Sequence, residues 1–364
     1  MQDAIATLLQ SLVSFPSVDG RPEEKRRVFH FVRDWLSTAG VDVTVCDHPI
    51  HPALIATIGT GTPALLLTHI DVVPAPDTLF NMRREGSKVF GRGVLDDKGP
   101  SAILMLLLAE MAKDPEKYTA ITAVFTTDEE IGSEDGVERL VKEGMLDGPR
   151  CVIALDGGDE EEVVHREKGL LHLTLQAHGK SAHNAMPWKG ENAIEAIYTS
   201  YQAIKDALHR ETSEKDRWKT TVSIGTLNGG EFVNQVPGHA TAKIDIRFVE
   251  PLTLKDVEAT VQRSLKSGVT IVGAQGGHPF ETKADDPLLT LYRESMKKAV
   301  GVHPKTKSEH GATDARFFRD MNVPIWLHYP QGGDIHTDNE WMDLASAERL
   351  LKGLLHFMRE IAKR

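Results

Sequence analysis

The chain has 364 residues, with 42 Lys plus Arg against 53 Asp plus Glu, a formal charge of −11. That length suits two or three domains of about 100–200 residues each, and 40% hydrophobic with 26% charged residues excludes a disordered chain. The acidic balance argues against nonspecific nucleic-acid binding, and the longest apolar run, 102–109 (AILMLLLA), stops at Glu110, too short to span a bilayer.

The N-terminal stretch MQDAIATLLQSLVSF carries an early acid and lacks the basic start and cleavage site of a signal peptide. The two cysteines, Cys46 and Cys151, provide neither a disulfide framework nor a thiolate metal site, which points to a reducing cytoplasm. The spacing of Val28, Phe31, Val32, Trp35 and Leu36 predicts an amphipathic helix over 22–39, stopped at Gly40. An alternating strand follows over 41–45. Short apolar runs at 64–68, 121–125 and 151–155 suit strands buried on both faces, with helices at 98–113 and 134–142 between them. Such alternation predicts an α/β layer on a largely parallel sheet.

From residue 166 the pattern changes. Leu171, Leu173 and Leu175 alternate with polar residues, and a helix follows over 191–210. Strands are expected at 221–227 and 240–249, the latter with Ile244, Ile246 and Phe248 on one face. A helix over 253–266 and a strand at 269–273 complete a β-α-β-β-α-β order, a small domain spanning 166–280. After it, Asp286-Pro287 starts a helix reaching 300, 324–327 reads as a strand and 344–361 as a closing helix. The expected organisation is one α/β domain, 1–165 and 281–364, interrupted by a smaller one.

Acids and histidines fall at the C-terminal ends of the expected strands, where open α/β sheets place their sites. In LLLTHIDVV, His69 and Asp71 share a face, so one can bind a metal while the other fixes the imidazole. In GRGVLDDKGP, Asp96 or Asp97 can bridge two metals or simply cap the next helix. In TTDEEIGSE, Glu129 and Glu130 point apart, so one can ligate and the other act as general base. Asp156 in ALDGGDEEE follows the next strand, and 159–162 read as solvated surface. His336 in YPQGGDIHTDNEW follows the last strand, with His328 its nearest competitor. Two histidines and three carboxylates suit Zn²⁺, with Mn²⁺ or Co²⁺ as substitutes. Three carboxylates, two divalent ions and one bridging hydroxide make a neutral cluster, whereas one ion would leave buried acids unpaired.

Taken together, HIDVV, GRGVLDDKGP, DEEIGS, a following acid and a late His resemble the dinuclear zinc metallopeptidase family of aminoacylases, glutamate carboxypeptidases, carnosinase-like dipeptidases, acetylornithine deacetylases and succinyl-diaminopimelate desuccinylases. The resemblance covers essentially the whole chain. It implies a large mixed-sheet catalytic domain with an inserted ferredoxin-like α+β lid or dimerisation domain, and two Zn²⁺ ions. By position, His69 and Asp156 resemble the ligands of one metal, Glu130 and His336 those of the other, and Asp96 the bridging carboxylate. Glu129 resembles the general base and Asp71 the acid behind His69. A cis peptide after Asp96 is also implied.

The resemblance extends to the inserted domain. GKSAHNAMPWKGENAI resembles the segment whose histidine, here His183, reaches a neighbouring subunit's site to stabilise the oxyanion. NQVPGHATAKIDIRF supplies Asn234 and Arg247; the Arg resembles the one that holds a substrate carboxylate, with a pair to Asp245 on the strand face as the alternative. EHGATDARFF resembles the substrate loop near Gly311 and Thr313.

The implied activity is hydrolysis of an amide bond in a small carboxylate-bearing peptide, by a dizinc-bound hydroxide with Glu129 as base, in a cytoplasmic homodimer. The segment DDKGP favours a dipeptidase or carboxypeptidase, since desuccinylases usually have Met in place of Asp97. An N-acyl-amino-acid deacylase is the alternative, and a non-catalytic dimeric relative a more distant one.

Overall fold

Apolar runs without alternation offer no face to solvent, so they belong inside a sheet covered on both sides. The structure, a computed structural model, describes residues 1–364. Within it Ala64–His69 and Cys151–Ala154 are buried at every position. The chain divides into two units. Met1–Arg166, Glu281–Lys307 and Thr313–Arg364 form the first; Glu167–Phe280 and Ser308–Ala312 form the second.

In the first unit the strand order runs Asp42–Cys46, Ala53–Ile58, Ile121–Thr126, Ala64–His69, Cys151–Ala154, Ile325–Leu327 and Glu162–Glu167. The four central strands are mutually parallel. Ala53–Ile58 is antiparallel to both its neighbours, and Glu162–Glu167 is antiparallel to Ile325–Leu327. The sheet is therefore mixed, as the resemblance implies, rather than largely parallel as the alternation by itself predicts. Ala53–Ile58 and Glu162–Glu167, together with the helix Gln2–Val13, are elements the periodicity did not single out. The parallel strands send their C-terminal ends to one edge. His69 ends one strand, Asp128–Glu130 follow the second, and Asp156 follows the third.

The helix Lys98–Ala112 is apolar nearly all round, and Lys98–Met105 are buried without exception. It packs against the helices Gln2–Val13 and Leu344–Ile361. Lys98 is wholly buried, yet its Nζ donates to the Phe15 carbonyl at 2.6 Å. The helix starts hard against the 92–96 loop: the Lys98 N–H donates to the Gly93 carbonyl at 2.9 Å, and a Cβ on Gly99 would overlap the Val94 carbonyl.

Two local expectations need correction. The helix expected over 134–142 begins at Val137, because the Asp128 carboxylate accepts the Asp135 and Gly136 N–H groups at 3.0 and 2.9 Å and holds the preceding residues in a turn. The 159–162 run is not all solvated surface. Glu160 is buried and bonded through both oxygens by Arg349, with Nη2 to Oε2 at 2.8 Å.

The second unit holds a four-stranded antiparallel sheet in the order Thr221–Gly229, His239–Phe248, Gly169–His178, Val269–Gly277. The helices Ala193–Leu208 and Leu254–Ser264 pack on it. This is the β-α-β-β-α-β order with ferredoxin-like strand arrangement. Leu171, Leu173, Leu175, Ile244, Ile246 and Phe248 face its core as the alternation implied.

Because the Val94 carbonyl is backbone and cannot swing aside, Gly99→Ala should destabilise the fold by about 1–3 kcal/mol, opposite in sign to helix propensity. A lower denaturant midpoint with unchanged slope checks this; a raised midpoint would contradict it.

Candidate metal centre and active site

The sheet edge brings five of the expected residues together. Donor atoms of His69, Asp96 and Asp156 lie within 4.8 Å of one another, and so do those of Asp96, Glu130 and His336. Asp96 belongs to both triads. Its Oδ1 is 3.1 Å from His69 Nε2 and its Oδ2 is 3.0 Å from His336 Nε2, which is itself 3.4 Å from Glu130 Oε2. The peptide between Asp96 and Asp97 is cis.

His69 and Glu130 have local reasons for their places. The His69 ring is 2% exposed, and its Nδ1 lies 3.1 Å from the Asp71 carbonyl and 3.4 Å from the Asp71 carboxylate. That side of the ring is thereby engaged, and Nε2 is turned towards Asp96. The same Asp71 carboxylate accepts the Glu129 and Glu130 N–H groups at 3.3 and 3.2 Å. One buried acid thus holds both the imidazole and the turn bearing the two glutamates. Glu130 Oε1 accepts the Val73 N–H at 3.2 Å, which leaves Oε2 on the side of His336.

Electrostatics agree with a cation-binding role. Burial opposes charge on His69, but hydrogen bonds to Asp71 and Asp96 outweigh it and hold the imidazole well above its ordinary range. Burial pushes Glu129 and Asp156 well above the usual carboxylate range, with nearby carboxylates adding to the push and His69 opposing it. A set of two imidazoles and three crowded carboxylates, with no thiolate, fits borderline divalent ions such as Zn²⁺.

Other expected residues lie outside this cluster. His183, Asn234, Arg247 and Gly311 are in the second unit, whereas Thr313 is in the first. His183 is exposed, and its Nδ1 accepts the Ala185 N–H at 3.1 Å, so its Nε2 carries the proton and can donate. Arg247 makes the strand-face pair, Nε to Asp245 Oδ1 at 2.9 Å, with Nη2 3.4 Å from His172 Nε2. Asn234 and Gly311 are exposed, and Thr313 Oγ1 accepts the Ala315 N–H at 3.3 Å at the start of a 3₁₀ turn.

Some residues read differently in three dimensions. Asp97 turns into the core, where Oδ2 accepts the Thr68 hydroxyl at 2.6 Å and the His69 N–H at 3.1 Å, so it touches no substrate. His328 is excluded as a ligand because both ring nitrogens are engaged, Nδ1 with Tyr292 Oη at 2.6 Å and Nε2 with the Glu160 carbonyl at 3.3 Å. Ser133 and Asp314 were not anticipated. Their side chains hydrogen-bond, and Arg316 Nη2 reaches the Gly132 carbonyl at 3.2 Å, tying the 129–133 turn to the 313–316 segment. Glu340, four residues beyond His336, is likewise a buried member of the site's surroundings. Only its spacing from His336 could have drawn attention to it.

Burial pushes His328 down to about 4. Below about 6.5 the unfolded chain binds a proton there that the folded chain refuses until about pH 4, so this group's contribution to stability falls as pH drops across that window and is level below it. Its size is about 3 kcal/mol. The stability difference between wild type and His328→Gln, followed by denaturant titration from pH 7 to 4, should shrink accordingly; a pH-independent difference would refute this assignment.

No helix is long and apolar enough to cross a membrane. The sequence model of peptidase family M20/M25/M40 matches residues 65–360. Among curated proteins, the succinyl-diaminopimelate desuccinylase of Halorhodospira halophila is 27% identical over 376 residues, covering 95% of each chain. Among solved structures, aminopeptidase PepT from Bacillus cereus superposes with a TM-score of 0.81 at 19% identity, over 100% of this chain and 99% of that one. The M20 family metallo-carboxypeptidase Sso-CP2 from Sulfolobus solfataricus gives 0.79 at 18% identity, over 100% of both. These two establish a shared fold. The sequence match extends over most of the chain and includes all five clustered donors, and on that ground the chain belongs to peptidase family M20/M25/M40 and is a metal-dependent hydrolase.

Proposed function

We propose that the protein is a dinuclear metallohydrolase cleaving the amide bond of a small carboxylate-bearing peptide, as a dipeptidase or carboxypeptidase. The observation that carries the dinuclear reading is the Asp96 carboxylate, which presents one oxygen to His69 and the other to His336. On this reading His69 and Asp156 hold one ion, Glu130 and His336 the other, and Asp96 both. Zn²⁺ is the proposed metal, with Co²⁺ or Mn²⁺ able to replace it. When bound, the ions supply Lewis acidity that lowers the pKa of water and polarises the scissile carbonyl.

The chain's own groups do the rest. Glu129 takes a proton from the attacking water and delivers it to the leaving amine, so one water is consumed and a carboxylate and an amine are released. Asp71 orients Glu129 and Glu130 through their N–H groups. The second unit serves as the lid and dimerisation domain. His183, through Nε2–H, stabilises the oxyanion in a partner's site. Arg247 and Asn234 hold the substrate carboxylate, with Asp245 fixing the guanidinium through Nε, and Gly311 and Thr313 border the substrate. Two free, buried cysteines suit the proposed cytoplasmic setting.

The similarity to the Halorhodospira halophila desuccinylase favours one second reading, deacylation of an N-acyl amino acid of the succinyl-diaminopimelate type. Both readings use the same centre. Zinc-loaded protein assayed on dipeptides, N-acetyl amino acids and N-succinyl-diaminopimelate, with and without chelator, separates them: chelator-sensitive cleavage of free dipeptides is expected, and cleavage of the acylated compounds alone would replace the substrate. Glu129→Ala should lower kcat by about 10²–10⁴-fold. Near-normal turnover would remove Glu129 as base.

A further inference from the structure

Glu340 sits beside the pairing of Lys88–Phe90 with Trp341–Asp343, in which Trp341 faces Phe90. The Gly91 N–H donates to the Glu340 carbonyl at 3.2 Å, and this register carries the Glu340 side chain beneath the 92–96 loop. There its carboxylate is fully committed. Oε1 accepts the N–H groups of Leu95 and Asp96 at 2.9 and 3.1 Å; Oε2 accepts the Gly93 N–H at 3.0 Å and Arg92 Nη1 at 2.7 Å. Both members of the ion pair are buried, 3% exposed for Arg92 and 1% for Glu340.

A buried ion pair is a poor device for stability alone, since desolvating two charges costs about what their attraction returns. What this one does is specify a backbone. Three N–H groups of one loop, from Gly93, Leu95 and Asp96, converge on one anion. The same short segment also supplies His336, which meets Asp96 Oδ2 from the other side. Asp96 is therefore held at its N–H by Glu340 and faced at its carboxylate by His336, four residues away in sequence.

We propose that Glu340, supported by Arg92, is the positioning residue of the metal centre: it sets the 92–96 backbone so that the Asp96 carboxylate spans both donor triads. The proposal rests on the dinuclear reading above. Glu340 touches neither substrate nor reacting atoms and acts through Asp96. Without it the loop relaxes, and Asp96 serves one triad at the expense of the other.

The test is titration of metal-free wild type, Glu340→Gln, Glu340→Asp and Arg92→Lys with Co²⁺, read by equilibrium dialysis and visible absorption, alongside the melting temperature of each metal-free protein. Glu340→Gln keeps the volume but turns one acceptor into a donor facing donors and leaves the buried Arg92 without a counter-charge. Wild type should bind two equivalents. Glu340→Gln should bind the second about 10–100-fold more weakly with an altered Co²⁺ spectrum, and lose kcat at nearly unchanged KM. Glu340→Asp, which keeps the charge, should recover part of each. Two equivalents bound by folded Glu340→Gln with wild-type affinity and spectrum, the only loss being in melting temperature, would overturn the proposal. If Glu340→Gln does not fold, Glu340→Asp and Arg92→Lys decide on the same readouts, wild-type titrations in both counting against it. A wild type that binds only one ion would instead overturn the dinuclear reading, and this proposal with it.

Discussion

The arrangement of the first unit turns on one shared carboxylate. Asp96 faces an imidazole with each oxygen, and those imidazoles come from residues 69 and 336, at opposite ends of the chain. A carboxylate can do this only if its backbone is held, because a displacement that improves one contact worsens the other. The start of the helix at Lys98, the close approach of Gly99 to Val94 and the hydrogen bonds from the 93–96 backbone all restrict that displacement. Fold and site are thus one problem: the buried helix that fills the core also terminates the loop that carries the donor.

Charge is the second organising constraint. The sheet edge gathers more negative charge than a buried surface tolerates unaided, and the raised Glu129 and Asp156 are its signature. Three buried acids outside the donor set have partners of their own. Asp71 receives two backbone N–H groups, Asp128 receives two, and Glu160 receives a two-pronged guanidinium. No lysine or arginine bonds to the three clustered carboxylates, and the basic groups that Asp96 and Glu130 meet are the two histidines of the cluster itself, which is the pattern of a site arranged for cations.

Much of this was legible in residue order. Continuous apolar runs marked the central strands, and acids or histidines just beyond three of them marked the functional edge, because parallel strands share a C-terminal end. The alternation in 239–248 located the face of a second core. Other features were hidden because a carboxylate's role depends on what it meets. Asp97, adjacent to Asp96, reads as a site residue yet turns inward to Thr68. Glu160 lies in an acidic run and is buried, since Arg349 arrives from nearly two hundred residues away. His328 and His336 are equivalent as letters, and only Tyr292 and the Glu160 carbonyl remove the first from contention.

The sequence by itself determined the central strands, most of the helices, the two kinds of core and the order of the donors, because hydrophobic period and turn chemistry are local properties of the chain. Tertiary structure decided which strands flank the sheet antiparallel, what removes His328 from the site, and which acids spend their charge on backbone N–H groups. Those outcomes follow from pairings between distant segments, such as Glu340 with residues 92–96, and no local pattern encodes the partner at the far end.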